Sequence, residues 1–487
     1  MIRWILITSS LLIISGAKSF GSSSCRINIA VQSLMSINDP LKAVSWWAKR
    51  EATLQFDTLV RFNESGEIQP WLARRWQFSK DLKTLIIELR SGVKFTDGTI
   101  MDSQAVVDSL KRYFGVESMD HGRLSYVKNV RAIEKSKIEI ILKNSFAPLL
   151  YYLATPRAGI VKKSSGSEFV GSGPWIYERT ETKNNKKNQI WKANEKYFNG
   201  TSFCSELGLV EVPMNELQSS FKDKIIDLIE YYPSQNINQN ELNKSFGENA
   251  ESQSFPSYDV TALFFTEKTK QSIEKLSRIN LLKIIFNEFK VPQHSVGYSK
   301  VCSILPFGMS SNDIGICSIE QNKIRSDKRI KFFIHTQDDE RSIILNKIAD
   351  IAKKKNYFID FSYLSLSELY SEHAKGNVAV HVETLTMQIP DPYGVLSMFE
   401  TGSGENFTRY SNSAFDNLLR KAKAEGDLKK RKEYYDQAEH ILLEDAIVIP
   451  LVHQSRVSIY SKNIIGYNSN SIGPFYATYD KIIKKEK

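Results

Sequence analysis

The chain has 487 residues, 41% hydrophobic and 25% charged, a globular balance that excludes intrinsic disorder, collagen and coiled coil. That length suggests about three domains, and a mean hydropathy of −0.32 excludes a multi-span membrane protein. Lysine and arginine number 65 against 55 acids, net +10; such a mixed surface is not a polycation, and no nucleic-acid partner is expected.

The N-terminus runs from a charged start, Met1-Ile2-Arg3-Trp4, through an apolar stretch from Ile5 to Ile14 to the small residues Ser15, Gly16, Ala17 and Ser19. This is the pattern of a secretory signal peptide over residues 1–19, with cleavage near Ser19/Phe20. The apolar run falls short of the roughly 20 residues that span a bilayer. An uncut membrane anchor is the alternative. Lipidation at Cys25 is the other, but the usual leucine three residues before the cysteine is missing.

A strand is expected from Arg26, a helix around Pro40 to Glu51, and strands over Phe56 to Phe62 and Leu85 to Leu89. Asp97-Gly98 is a turn signal, and Ser103 is expected to cap a helix through Tyr113. Further strands are expected at Ile138 to Leu142, after Gly171-Ser172-Gly173-Pro174, at Leu207 to Val212 and at Val260 to Phe265. The lysine/asparagine run Lys183 to Asn188 reads as a hairpin tip, Asn215 to Asp223 as a helix, and the polar stretch Ser234 to Ser257 as loop. From Ile330 onward strands and helices alternate: Ile330 to His335, Asp338 to Lys354, Phe358 to Leu364, a Ser365-capped helix to Ala374, and Val378 to Val382. Helices at Ser413 to Glu425 and Leu428 to Glu444 precede strands at Ile447 to Val452 and Val457 to Tyr460. Such alternation argues for a sheet with helices on its faces.

Export permits disulfides. Cys302 and Cys317 flank a loop rich in Gly, Ser, Pro and Asn, and bridging them would close it. Cys25 and Cys204 each precede a strand-like run, so parallel neighbouring strands would bring them together. Metal ligation is the competing reading, without a CxxC or a close Cys/His pair to support it. Seven histidines form no HExxH, no serine sits in a GxSxG elbow, and no GxxxxGK[ST] loop is present. No cofactor, metal or catalytic residue is assigned, and the chain is not read as an enzyme.

The informative segment is Asp57-Thr58-Leu59-Val60, Gly66-Glu67-Ile68-Gln69-Pro70-Trp71-Leu72-Ala73, Trp76, and Leu89-Arg90-Ser91-Gly92-Val93-Lys94-Phe95-Thr96-Asp97-Gly98-Thr99, followed by Ala105-Val106-Val107-Asp108-Ser109. It resembles the family-5 extracellular solute-binding proteins of ABC importers, the oligopeptide-, dipeptide- and nickel-binding family. Gly171 to Trp175, Asn194, Tyr197, Pro390-Asp391-Pro392, Asn406, Tyr410, Asp416 and Ile449-Pro450-Leu451 continue the likeness in order. The glycines are read as serving turns, and Trp71 and Trp76 as core anchors.

The resemblance implies an α/β, two-lobed fold like the periplasmic binding proteins, with mixed sheets flanked by helices and an extra subdomain in the first lobe. Residues 20–53, 166–257 and 456–487 would form lobe I, 54–165 its extra subdomain, and 258–455 lobe II. It implies a periplasmic, monomeric component of an ABC importer that takes a peptide or peptide-like solute into an interlobe cleft by hinge closure and passes it to a permease with ATPase subunits. A chaperone or sensor on the same fold, or a secreted hydrolase, are the alternatives. Gln32, Ser33, Trp46, Trp47, Thr384, Thr386, Met387, Gln388 and Asp391 are the expected cleft residues. Gln388 stands where peptide-binding members carry the aspartate that pairs with a free amine, so the ammonium-anchoring charge is absent.

Overall fold

A computed structural model describes residues 23–164, 168–231, 233, 237–267, 275–288, 295–301, 303–306, 308–309, 329–335, 339–354, 357–387, 389–468, 472–473 and 476–485. Its spine is one large mixed sheet. In chain order its main strands are β1 (Ser23–Val31), β2 (Trp175–Lys183), β3 (Lys186–Ala193), β4 (Cys204–Glu211), β5 (Leu228–Tyr231), β6 (Ala250–Phe265), β7 (Arg329–His335), β8 (Phe358–Leu364), β9 (Val380–Thr386) and β10 (Val448–Ser461). In space they run β2-β3-β4-β1-β5-β10-β6-β9-β7-β8, with Tyr298–Lys300 added beside β10.

Two long strands carry the chain from one end of this sheet to the other. Ala250–Pro256 of β6 pairs with Ser455–Ser461 of β10, the register then slips, and Val260–Phe264 pairs with Val448–His453. Before the slip β10 lies against β5; beyond it β6 lies against β9. An inserted offset of this kind bends and twists a strand pair locally, so the slip is where the sheet can change direction. The polar stretch Ser234 to Ser257, expected as loop, instead holds a helix (Gln239–Phe246) and the first half of β6. Likewise the two strands expected at Ile447 to Val452 and Val457 to Tyr460 are one continuous β10. Edge-to-edge pairing of two long partners satisfies the backbone there whatever the side chains are.

Residues between the first helix and β2 build a separate four-stranded antiparallel sheet, ordered Ala73–Phe78, Thr84–Leu89, Lys137–Leu142, Val127–Glu134. Helix Ser103–Phe114 covers one face, burying Val106, Val107 and Leu110. Its cap is Asp102, whose carboxylate accepts from the Ala105 N–H, while Ser103 is already the first helical residue. The apolar cluster of this unit continues without a break into β6, β9 and β10, through Tyr152, Tyr258, Leu385 and Tyr393. At the hairpin tip Asn184 and Asn185 both take positive φ (52° and 59°), while Lys186 is already strand and buried; the tip is narrower than the lysine/asparagine run.

Ser365 forms a capping box with Glu368, as the pattern indicates. Gly92 and Gly98 have positive φ (78° and 86°) and serve turns. Gly171 and Gly173 do not. A Cβ on either would lie 2.2–2.4 Å from the backbone oxygens of Gln55 or Leu54, so the chain here needs closeness rather than a left-handed bend.

One carboxylate binds these pieces together. Asp57, wholly buried, accepts from Arg61 (2.6 Å), Trp71 Nε1 (2.8 Å), Tyr197 Oη (3.0 Å) and Ser172 Oγ (2.8 Å). Trp71 also lies under the Arg61 guanidinium, 3.9 Å from ring centroid to Cζ. Cys25 and Cys204 form a disulfide, because β1 and β4 are parallel neighbours with their starts aligned. That sulfur is therefore not available as a lipid anchor. Cys302 and Cys317 lie outside the described residues.

Two stability predictions follow from the fold. Asp57→Ala strands the Arg61 charge and removes four hydrogen bonds, and should lower unfolding free energy by about 3–5 kcal/mol in urea titrations. Cys25→Ser with Cys204→Ser should lower it by about 2–5 kcal/mol; an unchanged midpoint would show that the bridge does not constrain the unfolded chain.

Candidate functional site

At the strand slip several polar residues are buried. Asp259, His453 and Arg456 on β6 and β10 are all under a tenth exposed. Helix α1 (Trp46–Gln55) starts beside them, capped by Ser45. Arg456 lies over the Trp46 ring at 5.3 Å, and Trp46 and Trp47 sit 5.0 Å apart beneath Arg50. Arg50 is in turn buried against Glu230, which also accepts from Tyr467 and Tyr479.

One turn along α1, Lys49 is 7% exposed. Burial, with the charge of Arg157 next and Arg123 further off, pulls its ammonium down to about 8; Asp120 and Asp259 act against that. Arg157 grips Asp120 with two hydrogen bonds (2.7 and 2.6 Å). Arg123 reaches across to Glu405. Between these groups and the other side of the molecule lies a small cavity of about 40 Å³. Arg123, Tyr152, Thr155 and Arg157 line one wall, and Leu385, Thr386, Ile389 and Val395 the opposite one. The Tyr152 hydroxyl is buried there without a hydrogen-bond partner. His453 is held down to about 4 by burial, against the pull of Asp259.

The expected cleft residues divide by where this geometry puts them. Thr386 lines the cavity, and Thr384, next on the same face of β9, shares a hydrogen bond of 2.9 Å with Thr261. Trp46 and Trp47 flank the slip. Gln32 and Ser33 leave the C-terminal end of β1, Gln32 exposed and Ser33 half-buried. Met387 is a core residue, 1% exposed, with its N–H on the Tyr258 carbonyl (3.1 Å). Asp391 is buried and bound inside its own turn, accepting from the Tyr393 N–H (2.9 Å) and pairing with Arg431 (3.3 Å), so it offers no anion to a cleft. Gln388 lies outside the described residues.

Sequence reasoning missed Lys49, Asp120, Arg123, Arg157, Asp259 and His453. Each is a common charged residue on an ordinary helix, loop or strand, and only its burial sets it apart. The one available signal was the placement of Lys49 within a helix that also carries two tryptophans.

Comparison with known proteins is consistent with this geometry. The profile of the bacterial extracellular solute-binding proteins, family 5 (its middle portion), matches residues 67–281. The nickel-binding periplasmic protein of Escherichia coli K12 is 30% identical over 165 residues, 30% of this chain and 30% of that one. The probable D,D-dipeptide-binding periplasmic protein DdpA of the same strain is 23% identical over 466 residues, covering 85% of this chain and 86% of its own. Among solved structures, the ABC transporter substrate-binding protein CtaP of Listeria monocytogenes superposes with a TM-score of 0.80 at 15% identity, over 95% of this chain and all of that one. The unliganded open form of the murein tripeptide-binding protein MppA does so at 0.77 and 18%, over 94% and 97%. With a matching profile across its middle, and relatives and folds that follow it nearly end to end, the chain is similar to the family-5 bacterial extracellular solute-binding proteins.

Proposed function

We propose that this protein is the exported solute-binding component of an ABC importer, holding a peptide or peptide-like solute in the crevice at the strand slip and delivering it unaltered to a membrane permease and its ATPase subunits. Relatives named for dipeptides, nickel and murein peptides support that role. Among the described residues no helix is long and apolar enough to cross a membrane. In this reading the β1–β5 end of the sheet is lobe I, 54–165 its extra subdomain, and the β7–β9 end lobe II, with β6 and β10 as the hinge. Closure is favoured only to the extent that a solute touches both sides.

The observation that carries the solute class is the gathering of basic side chains at the cavity, Arg123 and Arg157 in its wall with the buried Lys49 near them. In this reading a carboxylate on the solute faces these basic groups, already attended by Asp120, Asp259 and Glu405, from one wall, while its backbone lies along Thr384 and Thr386 on the other. The terminal carboxylate, rather than the free amine, is thus the anchored group, in keeping with the amide at Gln388.

Gentle purification followed by native mass spectrometry should reveal a bound small molecule carrying at least one carboxylate; a protein that stays empty through a di- to tetrapeptide panel overturns the reading. Lys49→Met should weaken binding of the captured solute by about tenfold or more, the loss of one charge-assisted contact. In the unliganded protein Lys49 is charged below about pH 8 and neutral above it, so affinity should fall as pH rises through 8, and calorimetry at pH 8–9 should show proton uptake on binding. Lys49→Met should abolish both effects.

His453 predicts acid behaviour of the fold. Its native pKa of about 4 lies below the ordinary 6.5, so the unfolded chain binds a proton that the native one refuses. Its contribution is intact above pH 6.5 and is lost as pH falls towards 4, up to about 3 kcal/mol. His453→Gln should flatten that part of the stability–pH curve.

A further inference from the structure

Helix α1 has two working faces. Lys49, on the side of Arg157 and Asp120, and Glu51 stand two residues apart, about 200° around the helix. Glu51 is buried and faces away, accepting from the N–H groups of Met35 (2.6 Å) and Ile37 (3.1 Å) and so fixing the loop that follows β1. Gln55, one turn on, donates to the Ile37 carbonyl (2.6 Å). Beyond this loop, against the outermost strands β2 and β3, is a pocket of about 380 Å³, within the size range of small-molecule sites. Strands β4, β1 and β5 stand between β3 and the hinge strand β10. At strand spacing that is about 19 Å, so the pocket is not part of the crevice.

The chemistry of its walls is selective. Trp175 and Trp191 form the apolar floor, with Tyr177 edge-on to Trp191 at 5.4 Å and itself 45% exposed. Phe169 closes one side, its other face covered by Arg112, which is paired with Asp39 at 2.6 Å. Among the described residues the polar lining is Ser36, Asn38, Gln55, Thr96 and Gln189, all neutral, with Glu168 as the single charge and no lysine, arginine or histidine. Gln189 is 1% exposed; its amide donates to Ser36 Oγ (3.4 Å) and bonds to the Glu51 carboxylate, while among the described residues its Oε1 and the indole N–H groups of Trp175 and Trp191 have no partner. Buried polar atoms left unmatched in this way mark a place where a partner belongs.

An anion finds no countercharge here, and a purely apolar guest would leave the amides unmatched. Hydroxyl groups, each both donor and acceptor, suit amide and hydroxyl walls, while the flat carbon face of a ring suits the aromatic side. We propose that the pocket between α1, the Ser36–Asn38 loop and strands β2 and β3 is a second binding site, separate from the crevice, for a neutral hydroxylated ring the size of one sugar residue.

The test uses the full chain with D-glucose, D-galactose and N-acetyl-D-glucosamine as probes, read by saturation-transfer NMR and calorimetry. At least one sugar should bind. Tyr177→Ala, at a half-exposed position where the fold is not at risk, should weaken that binding about tenfold or more, as should Gln189→Leu. Lys49→Met, on the opposite side of α1, should leave it unchanged. Absence of binding by all three sugars overturns the proposal, as does binding that survives Tyr177→Ala or is lost in Lys49→Met. Because the crevice reading is tested with carboxylate solutes and Lys49, either can fail without the other.

Discussion

The Asp57 carboxylate is the constraint on which the rest of the molecule depends. It lies where the chain leaves α1 for the four-stranded unit, and Ser172, which donates to it, lies where the chain returns. Arg61 and Trp71 belong to that unit, and Tyr197 to the segment between β3 and β4. A buried carboxylate with this many donors needs all of them in place at once, because each lost partner exposes an unmet charge to low dielectric. Entry, exit and flank of the inserted unit are thereby locked to one point, while Gly171 and Gly173 let the returning chain pass against the end of α1.

That lock positions the crevice. With α1 held at its C-terminal end, its first two turns carry Trp46, Lys49 and Arg50 to the slip between β6 and β10. The inserted unit brings Asp120, Arg123 and Arg157 to the same place and packs its apolar core into β6 and β9. Three chain segments far apart in sequence thus supply one polar cluster, at the point where the sheet's strand pairing changes partners. A strand pair bends where its register slips, so the polar cluster and the bend in the sheet coincide.

Helix α1 also explains how one short element serves two environments. Its buried Glu51 holds the loop after β1, and burial raises the Glu51 carboxyl above its ordinary value while the loop N–H groups oppose that shift. Lys49, on the other side, is shifted in the direction that burial imposes on a base. Opposite charges on opposite faces keep the helix between its two neighbours without either being exposed to solvent.

Much of the fold was legible in local pattern. Apolar runs marked strands at Leu85 to Leu89 and Phe358 to Leu364, Ser365 marked a helix start, and Asp97-Gly98 a turn, because each depends on residues close by in the chain. Pairing is not local. The polar first half of β6 reads as loop because nothing in Ser252-Gln253-Ser254 announces the β10 strand that satisfies its backbone. The disulfide depended on β1 and β4 being parallel neighbours, which the two cysteines alone do not say. Asp391, attractive beside two prolines, proved to be held by Arg431, while Lys49, Arg123 and Arg157 went unremarked. Charged residues of one type look alike in a string of letters. The sequence by itself determined the family pattern, the turns and the short elements, whose causes lie within a turn of helix or a hairpin; burial and partnership at the crevice were decided only by tertiary structure, because the energy of a charge depends on what surrounds it in space.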